Sequence, residues 1–122
     1  MSNINLALVI SDTSLMKPAV TRFRKSLIST NITFPRDHVV YSNVTGRPYT
    51  SVEEIRKLLP IQMAKPVKWH STITNIHLDE GCSQFIECGA MRSQSSMVKL
   101  IFGDKKGLTF YSSDQKESST SE

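Results

Sequence analysis

The sequence predicts an α/β fold in which a mostly parallel sheet is covered by helices. Short apolar segments with strand character alternate along the chain with longer segments whose apolar residues repeat at helical spacing. The 122 residues have about the length of one domain, with a hydrophobic share of 39% and a charged share of 21%. These shares are ordinary for a globular chain. No apolar run approaches the roughly 20 residues of a membrane-spanning helix, so we expect no membrane partner.

The first part of the chain reads as strand, helix and strand. The apolar run of residues 6–10 predicts a buried strand. Apolar residues at spacings of four, three and four then predict a helix with a basic opposite face: Met16, Val20, Phe23 and Leu27. Residues 38–43 predict a second strand, which ends before the turn at residues 45–48.

Three further helices and two strands follow. Residues 51–54 form a capping box, in which Ser51 and Glu54 satisfy each other's backbone N–H groups at a helix start. Pro60 is expected to kink this helix, and Pro66 predicts the start of another, which Gly81 ends. Further elements are predicted as a strand at residues 84–88, with Cys88 buried in it, then a helix containing Met97, Leu100 and Ile101, and a strand at residues 108–111.

We expect residues 1–111 to form one partial α/β domain and residues 112–122 to form a disordered tail. Five of those eleven tail residues are Ser and one is Thr, so the tail cannot bury apolar surface. The net charge is +4, and no acidic residue lies between Asp12 and Asp37. The basic residues in that stretch are compatible with steering an anionic partner and with an ordinary solvated helix face.

Parallel sheets place ligand chemistry at the carboxyl ends of their strands. The loops at residues 11–14, 43–47 and 89–93 are therefore the candidate site loops. The two cysteines lack His partners at metal-ligand spacing and are interpreted as reduced thiols. The three histidines follow neither ligand nor triad spacing, so we expect no metal site and no resident cofactor.

Four motifs in one order give the sequence a resemblance to a known family. The first two are Leu-Met-Lys-Pro-Ala, which begins at Leu15, and Val-Tyr-Ser-Asn-Val, which begins at Val40. The third is Ile-Gln-Met at residues 61–63 followed by Lys-Pro-Val-Lys-Trp at residues 65–69, and the fourth is Phe-Ile-Glu-Cys-Gly, which begins at Phe85. In this the chain resembles the C-terminal part of malonyl-CoA:acyl carrier protein transacylases, most closely the mitochondrial type of animals. The resemblance covers roughly residues 12–102. It implies the C-terminal portion of an α/β-hydrolase-like large subdomain.

The resemblance also implies the roles of individual residues. The family's nucleophile is a Ser in a Gly-His-Ser-x-Gly elbow, and no Gly-x-Ser-x-Gly occurs in these 122 residues. Asp12 stands at the position of the family's general-base His. Gln62 matches a Gln whose main-chain carbonyl orients that His, and Asn43 matches an Asn near the acyl site. After Glu87 the sequence reads Cys-Gly-Ala-Met, where the family has Val-Gly-Pro-Gly.

Two of these residues, Asp12 and Gln62, also have a plain structural interpretation. Asp12 is compatible with a helix cap and nothing more. Gln62 is compatible with an ordinary hydrogen bond at a helix end. The resemblance alone distinguishes the catalytic from the structural interpretation.

Two classes of function remain open. The first is part of a malonyltransferase of fatty acid synthesis that is inactive alone, with malonyl-CoA and acyl carrier protein as partners and the coenzyme A thioester as substrate. A polypeptide bearing the family's N-terminal half is a further partner. The second is a non-catalytic degenerate relative that binds acyl carrier protein or another protein. Net charge is the one feature that favours a nucleic-acid partner, and we expect no such partner.

The resemblance implies that the protein is located in the mitochondrion, although no presequence is visible. The alternative location is the cytoplasm.

Overall fold

The computed structural model describes residues 13–88, 93–103 and 107–112. Its elements are the helices α1 (Thr13–Ser29), α2 (Val52–Ile61), α3 (Trp69–Glu80) and α4 (Ser93–Phe102), and the strands β1 (Gln84–Glu87) and β2 (Thr109–Ser112). One 3₁₀ turn, Gln62–Ala64, follows α2. The chain divides into two compact units, with the boundary between Thr72 and Ile73 inside α3. The predicted strand at residues 6–10, Asp12, the loop residues 89–92 and the tail residues 113–122 lie outside the described residues.

In the N-terminal unit, α1 packs against α2 and against the 3₁₀ turn. The predicted apolar stripe of α1 is confirmed as its inner face, where Leu27 is buried and Phe23 is half-buried. A hydrogen bond of 2.8 Å from the Arg56 guanidinium to the Thr30 carbonyl joins α2 to the chain just beyond α1. Amphipathic spacing therefore predicted this helix pair well, because burial of one face is what stabilises such helices.

The start of α2 confirms one half of the predicted capping box and corrects the other. The Glu54 N–H donates to Ser51 Oγ at 3.1 Å, as predicted. The Glu54 carboxylate instead accepts from the N–H and Oγ1 of Thr50, at 2.7 and 2.8 Å. The carboxylate reaches one residue further back because Thr50 offers two donors in place of one. Those hydrogen bonds hold the pKa of Glu54 below its ordinary value.

The start of α3 differs from the prediction, whereas its end agrees. The helix begins at Trp69, three residues after Pro66. The Lys68 carbonyl accepts the Thr72 N–H at 2.9 Å and Thr72 Oγ1 at 2.8 Å, so the first helical hydrogen bond starts from Lys68. Gly81 has φ +64° directly after the helix, the left-handed conformation that favours Gly at a helix end.

The predicted strand at residues 38–43 is wrong for the described structure. This segment makes one isolated antiparallel bridge, Tyr41 with Pro48, and its hydrogen bonds turn back on the following residues. The Tyr49 N–H donates to the Val40 carbonyl at 2.8 Å. A strand needs a neighbouring strand to complete its hydrogen-bond ladder. Among the described residues this segment pairs with no other strand, and the Tyr41–Pro48 bridge stands alone.

In the C-terminal unit, β1 and β2 pair in parallel, and α4 connects them and packs on the pair. This arrangement confirms the predicted α/β fold with a parallel sheet and helices. Phe85 and Phe110 are register partners whose rings stack at 5.7 Å, and the Phe102 ring of α4 lies 6.0 Å from Phe85. Aromatic burial of this kind stabilises the α4 side of the sheet.

The strand boundaries are shifted from the predictions by one residue. β1 ends at Glu87, so Cys88 lies after the strand, and its side chain is exposed. The prediction that Cys88 is buried is therefore wrong, because alternation along β1 places Glu87 on the α4 side and the ladder ends there. Ser112, the first residue of the predicted tail, is the last residue of β2 and the register partner of Glu87.

The face of the sheet opposite α4 carries exposed apolar side chains. Ile86 and Tyr111 are register partners on this face, 47% and 45% exposed. Parallel sheets are usually covered on both faces. This pair is therefore an uncovered apolar patch among the described residues of the C-terminal unit.

Candidate functional site

Asn43 lies in a tight turn that buries it. The Gly46 N–H donates to the Ser42 carbonyl, and the Ser42 N–H donates to the Arg47 carbonyl, both at 2.8 Å. The Val44 N–H donates to Ser42 Oγ at 3.2 Å, which fixes the turn from inside. Asn43 itself is only 7% exposed. The turn therefore holds this side chain in a buried position without a regular strand before it.

The same turn is fixed to the chain that enters α3. The Lys68 N–H donates to the Asn43 carbonyl at 3.0 Å. Gly46 has φ +68°, and a Cβ added there would lie 3.1 Å from the Cβ of Ser71. A side chain at this position would thus be both strained and crowded. The position of Asn43 therefore depends on a Gly and on a backbone hydrogen bond.

Tyr49 follows this turn and is also buried. Burial raises the pKa of the Tyr49 phenol, because desolvation disfavours the phenolate, and the negative charge of Glu54 acts in the same direction. The phenol therefore stays protonated at neutral pH. Its oxygen is buried without a hydrogen-bond partner among the described residues, and a protonated phenol is not a candidate base.

Gln62 lies where α2 passes into the 3₁₀ turn, and it is half-buried. Its N–H donates to the Leu58 carbonyl and so continues the helical pattern. Pro60, which is fully buried, lies two residues earlier in the last turn of α2. The α-helix continues past Pro60 to Ile61 before the 3₁₀ turn begins, and the kink expected at Pro60 stays a prediction.

The structure does not describe the third predicted site residue, Asp12. The spatial relation of Asp12 to Gln62 therefore remains a prediction. Asn43 and Gln62 both belong to the N-terminal unit and occupy separate backbone features of it: the turn before α2 and the junction after α2.

A buried carboxylate, Glu87, is the feature that the sequence interpretation missed. It is 7% exposed at the end of β1. It accepts the Gln94 N–H at 3.1 Å, the Ser95 N–H at 2.9 Å and Ser95 Oγ at 2.7 Å, all from the first turn of α4. The first N–H groups of a helix have no intrahelical partner, and an anion there is also favoured by the helix dipole. Glu87 thus caps α4 from a distant position in sequence.

The hydrogen bonds of Glu87 outweigh the cost of its burial. Desolvation favours the neutral acid, but the Ser95 hydroxyl and the N–H groups of Ser95 and Gln94 favour the anion, and the pKa of Glu87 lies below its ordinary value. The sequence contained a signal for this role: an acidic residue inside an apolar strand is buried only when it is paired.

The remaining polar candidates have structural roles. His77 Nδ1 donates to the Cys82 carbonyl at 2.7 Å, and the His77 ring meets Phe102 edge-on at 4.9 Å. Among the residues that the structure describes, no three His, Cys, Asp or Glu side chains form a group that could hold a metal ion. Within the same residues, no helix is long and apolar enough to cross a membrane.

No protein-family model matches the sequence. Curated relatives do. The chain is 48% identical over 65 residues to the mitochondrial malonyl-CoA-acyl carrier protein transacylase of Mus musculus, which covers 53% of this chain and 17% of the relative. It is 36% identical over 90 residues to the human mitochondrial protein of the same name, covering 71% of this chain and 23% of the relative. It is 31% identical over 101 residues to the malonyl CoA-acyl carrier protein transacylase of Haemophilus influenzae, covering 83% of this chain and 32% of the relative.

Solved structures agree with these relatives. A malonyl-transacylase in complex with a type II PKS acyl-carrier protein matches with TM-score 0.74 and 28% identity, covering 91% of this chain and 35% of that one. FabD from Acinetobacter baumannii matches with TM-score 0.73 and 30% identity over the same shares. The chain spans about a sixth to a third of the length of these relatives. The expected resemblance is therefore confirmed: this chain is similar to malonyl-CoA:acyl carrier protein transacylases and corresponds to part of their length.

Proposed function

We propose that this chain supplies the C-terminal part of a domain that transfers malonyl groups from coenzyme A to acyl carrier protein in fatty acid synthesis. The observation that carries the proposal is the match of 91% of the chain to a malonyl-transacylase at TM-score 0.74 and 28% identity. The mouse, fly and human relatives are named mitochondrial, which supports a mitochondrial location.

In this proposal the chain contributes positioning groups. The last carbonyls of a helix lack intrahelical partners, and Gln62 lies where α2 ends. Its main-chain carbonyl would orient the base presented at position 12. Asn43 would border the acyl site from the turn that buries it. The buried turn and the helix end are both backbone features, so their positions depend on the fold and not on flexible side chains.

We further propose that these 122 residues do not transfer malonyl groups by themselves. The sequence has no Gly-x-Ser-x-Gly elbow, and Asp12 replaces the family's general-base His. An ordinary Asp has a pKa of about 3.9 against about 6.5 for His, so at neutral pH a carboxylate is a poor acceptor for the proton of a Ser hydroxyl. Both departures lower the expected rate of acyl-serine formation.

Labelling with malonyl-CoA tests this proposal. The chain alone is expected to acquire no covalent malonyl label, whereas the mouse transacylase, used as the positive control, acquires a hydroxylamine-sensitive label. A hydroxylamine-sensitive adduct on the isolated chain would contradict the proposed inactivity. The positioning role is tested by exchanging this chain, with Asp12→His, for the matching segment of the mouse protein. A folded but inactive chimera would contradict that role.

A second candidate function is that of a non-catalytic relative that binds acyl carrier protein or another protein partner. One observation favours it: α1 carries four basic residues and no acidic residue, and all four basic side chains are exposed. Whole acyl carrier protein, titrated against the chain and followed by calorimetry, tests this candidate. Binding without any malonyl transfer would support it.

A further inference from the structure

A groove of about 620 Å³ runs along one side of α1. Its lining is mainly apolar and consists of Leu15, Pro18, Ala19, Arg22, Phe23 and Ser26 of α1 together with Met63 of the 3₁₀ turn. Leu15 is 78% exposed at one end of it. The Ser26 hydroxyl donates to the Arg22 carbonyl at 3.2 Å, so this polar group of the lining is already satisfied. The groove thus offers a continuous apolar surface bounded by two elements.

The charge at the groove is positive. Arg22 is the charged member of the described lining. Lys25 is seven residues after Pro18, and residues at this spacing lie on the same side of a helix. Lys17 and Arg24 are also seven residues apart, but they lie roughly half a turn away from Leu15 and Arg22, on the opposite side of α1. The four cations of α1 therefore form two pairs, and one pair borders the groove.

We propose that this groove is a docking surface for an acidic amphipathic helix of a partner protein. Apolar side chains of such a helix at positions i, i+3 or i+4, and i+7 would enter the groove, and acidic side chains would face Arg22 and Lys25. The flexible thioether of Met63 suits a groove wall that adapts to a ligand. Charge complementarity selects an acidic partner, because α1 contains no acidic residue. The proposal deepens the second candidate function and does not depend on malonyl transfer.

The probe is a synthetic helical peptide of about 15 residues with Leu on one face and Glu beside it. Binding to the full chain is measured by fluorescence anisotropy. We expect saturable binding that weakens as salt is raised. The double variant Arg22→Glu/Lys25→Glu is expected to bind about tenfold more weakly. The matched control Lys17→Glu/Arg24→Glu changes the same charges on the opposite side of α1 and is expected to bind within about twofold of the native chain.

Leu15→Ser removes an exposed apolar contact and is expected to weaken binding about fivefold. Circular dichroism and thermal unfolding verify that each variant is folded. Equal weakening in both double variants would mean that attraction is non-specific and would overturn the docking surface. Absence of saturable peptide binding, or binding to phosphatidylserine vesicles in place of the peptide, would overturn it as well. Each of these three failures leaves the second candidate function testable, because binding of whole acyl carrier protein elsewhere on the chain is measured separately.

Discussion

The Glu87 carboxylate accepts two hydrogen bonds from Ser95, from its N–H at 2.9 Å and from its hydroxyl at 2.7 Å. These bonds join the end of β1 to the first turn of α4. The segment between the two elements is one of the three loops that the sequence marked as candidate site loops. Glu87 therefore joins the two elements that flank that segment.

Removing the Glu87 charge is expected to destabilise the protein. Glu87→Gln replaces one acceptor oxygen by an amide group that faces the N–H donors of Gln94 and Ser95. Unpaired buried donors cost about 1–3 kcal/mol. Urea unfolding measures the loss of free energy, and Glu53→Gln, at an exposed position of α2, is the control. A loss no larger than that of the control would show that the cap contributes nothing.

The same residue predicts a pH dependence of stability. The folded pKa of Glu87 lies below its ordinary value of 4.5, so its stabilisation is fully present above that value and is lost as the pH falls through the folded pKa. The difference in unfolding free energy between the native chain and Glu87→Gln is expected to be constant from about pH 7 to pH 5 and to shrink in more acidic solution. Glu54 also has a lowered pKa, but it is present in both proteins, so its contribution cancels from this difference. A difference that grows on acidification would reverse the assigned sign.

Gly46→Ala is expected to cost more than Gly81→Ala. Both positions have positive φ, so both substitutions carry a left-handed strain of about 1–2 kcal/mol. At Gly46 the new Cβ would also meet the Ser71 Cβ at 3.1 Å, whereas at Gly81 nothing lies within 4 Å. Thermal or urea unfolding of the two variants separates the crowding from the strain. Equal losses would indicate that the chain near Ser71 relaxes without cost.

The exposed sheet face is expected to drive self-association. Ile86 and Tyr111 form an uncovered apolar patch, and such patches favour contact between molecules. The double substitution Ile86→Thr/Tyr111→Thr keeps strand-forming side chains and is expected to lower the average mass in light scattering at high concentration. Phe85→Thr, on the packed face, is expected to unfold the unit instead. A native chain that is monomeric at every concentration would contradict this interpretation.

Asp12→His is expected to raise malonyl transfer only when a Ser-bearing N-terminal portion is present. The substitution restores imidazole, whose ordinary pKa of about 6.5 suits a general base near neutral pH. Loss of an Asp cap would cost about 0.5–2 kcal/mol, so stability is measured beside the rate. Equal, high rates with Asp and His in the mouse-protein chimera would show that position 12 does not hold the base.

Local patterns predicted the helices and the Ser51 cap better than the strands and the Glu87 cap. The stripe of α1 and the Ser51 cap depend on residues within one or two turns, so the sequence carries their information directly. The segment at residues 38–43 has strand composition, but a ladder depends on a distant neighbour that composition does not reveal. Glu87 was missed for the same reason, since it caps a helix that begins several residues later in the sequence. The candidate residues Asn43 and Gln62 came from motif resemblance, because burial in a turn leaves no periodic signal.

The hydrogen bond from Lys68 to Asn43 closes a length of chain that contains α2 and the 3₁₀ turn. Its interior is held to the end of α1 by the bond between Arg56 and Thr30. Closing a loop costs chain entropy once, after which further contacts inside it form at little extra entropic cost. We therefore expect residues 43–68 to open as one cooperative unit: their backbone amides should exchange with solvent together, in one event that releases the Asn43 turn and the Gln62 junction simultaneously.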